Sequence, residues 1–424
     1  MTLPIIGFAG MSHLGLISAV AAAEKGFDTI CYDPDSQQIA KLARNELSIV
    51  EPDLYELLEK NQSRIKFSED LQELTTCDLV YIAVDVPTDD LAQSDLEPIN
   101  SLVSQVDANL GSDAVMVILS QVPPGFTREH LRNGRQIYCQ VETLIFGQAI
   151  ARALYPERTI VGCAEPSNPL PQAFAQFLDS FGCPILPMRY ESAELAKISI
   201  NMCLVASVSV ANTLAELCEN IGADWSEIVP ALKLDKRIGQ YAYLAPGLGI
   251  SGGNLERDLA TVCNLADQNG TDSGVVRAWV ANSHHRRDWV LRTLHQGTLS
   301  KVDDPVITVL GLAYKQDTNS TKNSPSIALL ENLTPFQVRV FDPVVPASAA
   351  PNPRCHAAES EYEACDGSDV LVVMTPWAQF KQLDLLEVAK RMRDPVILDP
   401  YGVFQAKACR NAGLSYHTLG VPAE

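Results

Sequence analysis

The sequence predicts an α/β protein, with two parallel-sheet domains joined by a long central helix and a helical middle region. Three observations predict it. Short apolar runs alternate with helical patterns through the first half, the mark of a parallel sheet crossed by helices. From Ser192 to Asn220 there is neither Gly nor Pro, and Leu, Ile, Val and Met recur throughout. A second strand–helix alternation begins at Val306.

The first domain, 1–190, opens with a strand over Leu3–Ala9. An alanine-rich helix follows over Gly15–Lys25 and stops at Gly26, a residue that ends helices readily. Further strands are predicted at Thr29–Tyr32, Leu79–Val84, Val115–Leu119 and Thr159–Gly162. Ser192–Asn220 then reads as one helix roughly 40 Å long. It suits a buried core helix and a dimer-forming spine equally. Helices at Trp225–Leu232, Leu255–Asn269 and Val275–His295 complete a middle domain, 191–298. The short polar linker Gly297–Asp304 leads into the last domain, 299–424, with strands at Val306–Leu310, Val338–Phe341, Val370–Met374 and Val396–Leu398.

Composition narrows the partners. The chain of 424 residues carries 32 basic and 52 acidic side chains, a formal net charge of −20. That balance excludes nucleic acid and anionic membranes as expected partners, since both need basic patches. A small anionic ligand needs only a few local donors. The eleven cysteines show no C-x-x-C pair, and the start of the chain reads as a strand, not a secretory signal. Reduced thiols in a cytoplasmic protein are expected, with no disulfide frame and no metal site.

The cofactor end is legible from residues alone. Gly10-Met11-Ser12-His13-Leu14-Gly15 follows the first strand and opens a helix. The pattern G-x-S-x-x-G is one glycine short of the dinucleotide fingerprint. Gly10 permits the tight turn, and Gly15 lets helix and strand pack closely. The middle place, here Ser12, is where a pyrophosphate approaches the helix N-terminus. Asp33 ends the next strand, placed to accept from adenosine ribose hydroxyls and to repel a 2′-phosphate. Its alternative is a helix cap in Asp33-Pro34-Asp35-Ser36. Together these predict a Rossmann-like domain that binds NAD in preference to NADP.

Other segments carry a family resemblance. Val50-Glu51-Pro52-Asp53-Leu54 matches Y-E-P-G-L, Ile82–Thr88 matches I-A-V-x-T-P-T, and Ser120–Arg128 matches S-T-V-P-V-G-T-T-R. Glu142 falls on the glutamate of N-P-E-F-L, and Pro156-Glu157-Arg158 on the P-D-R that follows. Ser192–Asn201 resembles A-E-L-x-K-x-x-x-N, while Leu234–Gly239 and Gly311–Thr318 extend the series. Gly247–Asp258 resembles G-x-G-Y-G-G-S-C-F-P-K-D, with Gly247, Gly249, Gly252 and Asp258 in register. The chain thus resembles the UDP-glucose/GDP-mannose dehydrogenase family over nearly its whole length.

The resemblance implies an NAD-dependent oxidoreductase acting on a CH–OH group of a UDP-sugar in polysaccharide biosynthesis, working as a homodimer or higher homo-oligomer. It assigns cofactor contacts to Gly10, Ser12, Leu14, Gly15, Asp33, Pro87, Gln121 and Lys322. It assigns substrate contacts to Glu142, Lys197, Asn201, Arg237, Gly249, Gly252 and Lys315, with Arg237 reaching across a dimer interface. Lys197, Asn201, Asp258 and Glu142 are the implied catalytic set. Lys197 and Asn201 are four apart and share a helix face, and Asp258 can act with water as a general base.

The departures gather where chemistry happens. Asn254 stands where the family carries its nucleophilic cysteine, whose thiolate holds the second of two oxidations as a thiohemiacetal. Gln121 replaces a threonine, Phe146 a second acid, Arg257 a lysine and Lys322 an arginine, and Asp399-Pro400-Tyr401-Gly402 replaces D-G-R-N. Three readings stay open: a single two-electron oxidation, a transient oxidation with retained NAD as in epimerases or decarboxylases, and a non-catalytic nucleotide-sugar-binding homologue.

Overall fold

The computed structural model describes residues 2–47, 49–89, 94–132, 134–251 and 254–422. They group into two compact units, Met1–Ile200 and Asn201–Glu424. The second unit holds the second sheet and most of the segment expected as a separate middle domain.

The first unit is built on an eight-stranded sheet of order β3-β2-β1-β4-β5-β6-β7-β8. Its strands are β1 (Ile6–Ala9), β2 (Thr29–Tyr32), β3 (Ile65–Ser68), β4 (Leu79–Ile82), β5 (Val115–Ile118), β6 (Gln136–Gln140), β7 (Thr159–Cys163) and β8 (Ile185–Arg189). Strands β1, β2, β4 and β5 are buried along their whole length, which is why they read as continuous apolar runs. The expected all-parallel sheet has one exception, because β7 runs antiparallel to β6. Strand β1 pairs with β2 on one side and β4 on the other, with Ala9 opposite Tyr32 and Ile82. That register brings Gly10, Asp33 and Ala83 to one edge, at the switch in strand order where ligands bind in such sheets.

Strand β8 passes straight into the long helix Tyr190–Ile221, 32 residues, slightly longer at both ends than expected. It is the one helix among the described residues long and apolar enough to cross a membrane. Its buried polar side chains argue for a core helix instead. Asn201 bonds Asp258, and Asn212 Oδ1 accepts from Gly247 N at 2.8 Å.

In the second unit, helices Trp225–Leu234, Asn254–Asn269, Gly274–Arg287 and Trp289–Gln296 precede a six-stranded, all-parallel sheet of order β11-β10-β9-β12-β13-β14. Its strands are β9 (Val306–Leu310), β10 (Gln337–Phe341), β11 (Cys355–Ala357), β12 (Val370–Val373), β13 (Val396–Leu398) and β14 (Ser415–His417). The helix expected over Val275–His295 is two helices, broken at Asp288, a weak helix former.

A buried charge network ties this unit together. Arg286 is fully buried, with Nη2 3.0 Å from Glu219 and Nη1 3.3 Å from Glu216. Glu219 also accepts from Trp289 Nε1 at 3.0 Å and from Gly420 N at 2.8 Å. Glu216 takes His285 and Arg292 besides. Cysteines are spread through both cores. Cys31, Cys77, Cys139, Cys365 and Cys409 are buried, and burial pushes each thiol up to about 12.

Candidate active site

The turn after β1 is shaped for close approach. Gly10 has φ +98°, and a Cβ there would sit 2.9 Å from Val84 N; one on Gly15 would meet Gly10 O at 1.8 Å. Helix His13–Glu24 therefore presses its first turn against the strand end. Ser12 precedes it in extended conformation, and its hydroxyl donates to Ala83 O at 3.2 Å instead of capping the helix. The first helical N–H groups thus carry no side-chain cap, which suits an anion. Asp33 Oδ2 accepts from Met11 N at 2.7 Å and Oδ1 from Asp35 N at 2.9 Å. A carboxylate has about four acceptor sites, so Asp33 retains capacity for ribose hydroxyls. The residues present fit the adenosine and pyrophosphate of NAD. Leu14, expected at the cofactor, has its side chain in the core, leaving only its backbone N–H to serve there. Pro87 is exposed beyond β4.

The second sheet repeats the device without the spare capacity. Gly311 follows β9 with φ +98°, and Asp342 follows β10 as Asp33 follows β2. Asp342 Oδ2 already accepts from Leu312 N, Ala313 N and Trp377 Nε1, and Oδ1 from Val344 N and Val345 N. That carboxylate is saturated internally.

Within the first unit, Gln121, Glu142, Glu194 and Lys197 line one small hollow of about 20 Å³. Lys197 Nζ lies 3.5 Å from Glu142, both side chains largely buried. Glu142 also accepts from Leu144 N, which curls its loop back onto the carboxylate. Glu194 accepts from Gly125 N at 2.6 Å and Thr127 N at 2.9 Å, while burial pushes its carboxyl up. An ammonium held beside a carboxylate can stabilise an oxyanion and pass on a proton.

Within the second unit, Asn201 Nδ2 donates to Asp258 at 2.5 Å, and Asp258 is 1% exposed. Arg257 Nε stands 3.6 Å from the same carboxylate. Asn254 is exposed at the start of helix Asn254–Asn269, one turn before Asp258 and so on its face. Cys263 packs beside an apolar cluster that includes Leu259 and Val276. The loop before this helix is pinned from both sides. Gly247 N bonds Asn212, Ile250 N bonds Ser283 Oγ at 2.7 Å, and a Cβ on Gly249 would meet Ser283 O at 2.3 Å. Packing alone accounts for Gly249. Gly252 lies outside the described residues.

The remaining expected contacts are scattered. Arg237 is 88% exposed at its side chain and pairs with its neighbour Asp235. Lys315 lies 5.8 Å from the Tyr314 ring. Lys322 faces Glu256, whose carboxyl is raised by burial and pulled back by Arg287 and Lys322. Among the buried carboxylates that escaped notice in the sequence is Glu51, which bonds His13 and the loop around Gly147. Its place beside Pro52 gives no signal of burial.

A dinucleotide-type turn with an acid at the end of the second strand, and a lysine–glutamate pair lining a small hollow in the same unit, suit the nicotinamide-dependent oxidoreductases of CH–OH groups. The chain belongs to the UDP-glucose/GDP-mannose dehydrogenase family: residues 4–177 match its NAD binding domain, 191–284 its central domain and 308–406 its UDP binding domain. The UDP-glucose 6-dehydrogenase of Pseudomonas aeruginosa is 30% identical over 97% of this chain and 96% of its own. UDP-glucose 6-dehydrogenase TuaD of Bacillus subtilis is 28% identical over 99% of this chain and 93% of its own. A UDP-glucose dehydrogenase structure from Pyrobaculum islandicum shares the fold, with TM-score 0.85 at 24% identity over 98% of this chain and 97% of that one.

Proposed function

We propose that this protein oxidises a CH–OH group of a UDP-sugar once, to a carbonyl, yielding one NADH per substrate. The observation that carries the reading is Asn254, an exposed amide one turn before the buried Asp258. NAD supplies the hydride acceptor when bound. Lys197 stabilises the oxyanion that develops as the substrate hydroxyl loses its proton, and Glu142 receives that proton. Within the second unit, Asp258 holds the Asn201 side chain in place through their hydrogen bond. The C–H electron pair leaves as hydride, the O–H proton goes to the carboxylate, and a C=O bond remains. An amide offers no nucleophile to trap that carbonyl for a second oxidation.

The chain is also proposed to pair with a second copy. Val210, Leu214, Leu217 and Ile221 form an exposed apolar stripe along the long helix, spaced by three and four residues. The test of function counts NADH against UDP-glucose consumed, with product mass, for wild type and Asn254→Cys. One NADH and a carbonyl from wild type supports the reading; two NADH and a carboxylate overturn it. Conversion of the sugar without net NADH moves the protein to the transient-oxidation class.

A further inference from the structure

Glu51 is a buried carboxylate with no part in the chemistry above. Its side chain is 0% exposed, and among the described residues no Lys or Arg pairs with it. Its oxygens are instead shared by three groups distant in sequence. Oε1 lies 2.9 Å from His13 Nε2, Gly147 N donates to both oxygens at 3.0 Å, and Ala149 N donates to Oε2 at 3.2 Å. Burying a carboxylate is costly unless its acceptor sites are filled, so these partners are bound to one another through it. His13 is the first residue of the helix His13–Glu24, and its ring also packs on Phe146 with centroids 4.4 Å apart. The loop so gripped begins at Glu142, the carboxylate facing Lys197.

We propose that Glu51 is a positioning residue that couples dinucleotide occupancy to the order of the Glu142–Ala149 loop. The inference rests on NAD docking at this helix, whose leading N–H groups take its pyrophosphate. A pyrophosphate there holds the first helical turn and hence the His13 ring. The ring holds the Glu51 carboxylate, and the carboxylate holds the N–H groups of Gly147 and Ala149. Coupling of this kind is reciprocal, so a settled loop also favours the bound cofactor.

The experiment is amide hydrogen exchange over residues 142–150 with and without saturating NADH, with NADH affinity measured in parallel by calorimetry. In wild type, exchange at Gly147 and Ala149 is expected to slow by about five-fold or more on NADH addition. His13→Ala is expected to bind NADH and lose that response. His13→Gln, which restores an N–H toward the carboxylate, is expected to recover it. Phe146→Ala leaves the hydrogen bonds intact and is expected to respond like wild type. A purely structural role would shift exchange equally with and without NADH. The proposal is overturned if wild type shows no NADH-dependent slowing, or if His13→Ala retains it. No turnover is needed, so failure of the single-oxidation reading leaves this result standing. NADH failing to bind wild type would strike the cofactor site and the coupling together.

Discussion

Glu219→Gln tests whether the buried network is the keystone of the second unit. The substitution keeps the side chain's shape and removes one charge facing Arg286, which has no exposed surface. Breaking a buried ion pair from one side costs roughly 3–5 kcal/mol, because the partner stays buried and unmatched. Glu216 remains 3.3 Å from Arg286 Nη1 and offsets part of that cost. The amide must also serve Trp289 Nε1 and Gly420 N with one acceptor oxygen where two now work. The expected loss is about 3 kcal/mol. All four tryptophans, Trp225, Trp279, Trp289 and Trp377, lie in the second unit, so urea unfolding followed by tryptophan fluorescence reports that unit alone. Arg286→Met is expected to cost less, since both carboxylates keep other donors. The double variant should recover part of the single loss, because an uncharged pair leaves nothing unmatched. A loss below about 1 kcal/mol for Glu219→Gln, or strict additivity in the double variant, refutes the reasoning.

Acid should weaken the same network. Burial raises the Glu216 carboxyl, but the His285 hydrogen bond and the charges of Arg286, His285 and Arg292 outweigh it, so the folded-state value lies below the usual 4.5. Its contribution is therefore present above that value and lost as pH falls through the lowered one, so the urea gap between wild type and Glu216→Gln should narrow on acidification. NAD should bind more tightly than NADP by roughly 2 kcal/mol if the Asp33 carboxylate, at the end of β2, takes the ribose hydroxyls as proposed; calorimetry giving equal affinities would contradict this. Gly249→Ala should lower the melting temperature through a loss of at least about 1–3 kcal/mol, since φ +75° and the Ser283 carbonyl both oppose a Cβ. Leu217→Lys should shift light-scattering mass toward the monomer by placing a charge in the exposed stripe.

Strands β2, β9 and β13 fall where the sequence predicts them, because buried parallel strands are unbroken apolar runs. Strands β8 and β14 give no such signal. Pro187 interrupts β8, which tolerates it at the sheet edge, and β14 is a three-residue edge of Ser, Tyr and His. At the site, Gly10, Gly15 and Asp33 are legible because backbone geometry demands those residue types. Lys197, Asn201 and Asp258 are legible mainly through the family pattern. Glu51 is invisible as a buried anchor, since its burial comes from a loop almost a hundred residues away in the chain. Leu14 shows the converse, a motif position whose side chain belongs to the core.

The burial of the thiols has a practical consequence for labelling chemistry. Alkylation and disulfide exchange need the thiolate, and five thiols held near 12 stay protonated at neutral pH. Among the described residues Cys203 is the one exposed cysteine. A native chain treated briefly with iodoacetamide should therefore carry little adduct, and less still at position 203 where a second copy covers the helix stripe seven residues further on. Against so quiet a background, a thiol installed by Asn254→Cys becomes an address of its own. Peptide mapping of its adduct, with and without NADH or UDP-glucose, measures how far each ligand shields that position, whether or not the protein turns over.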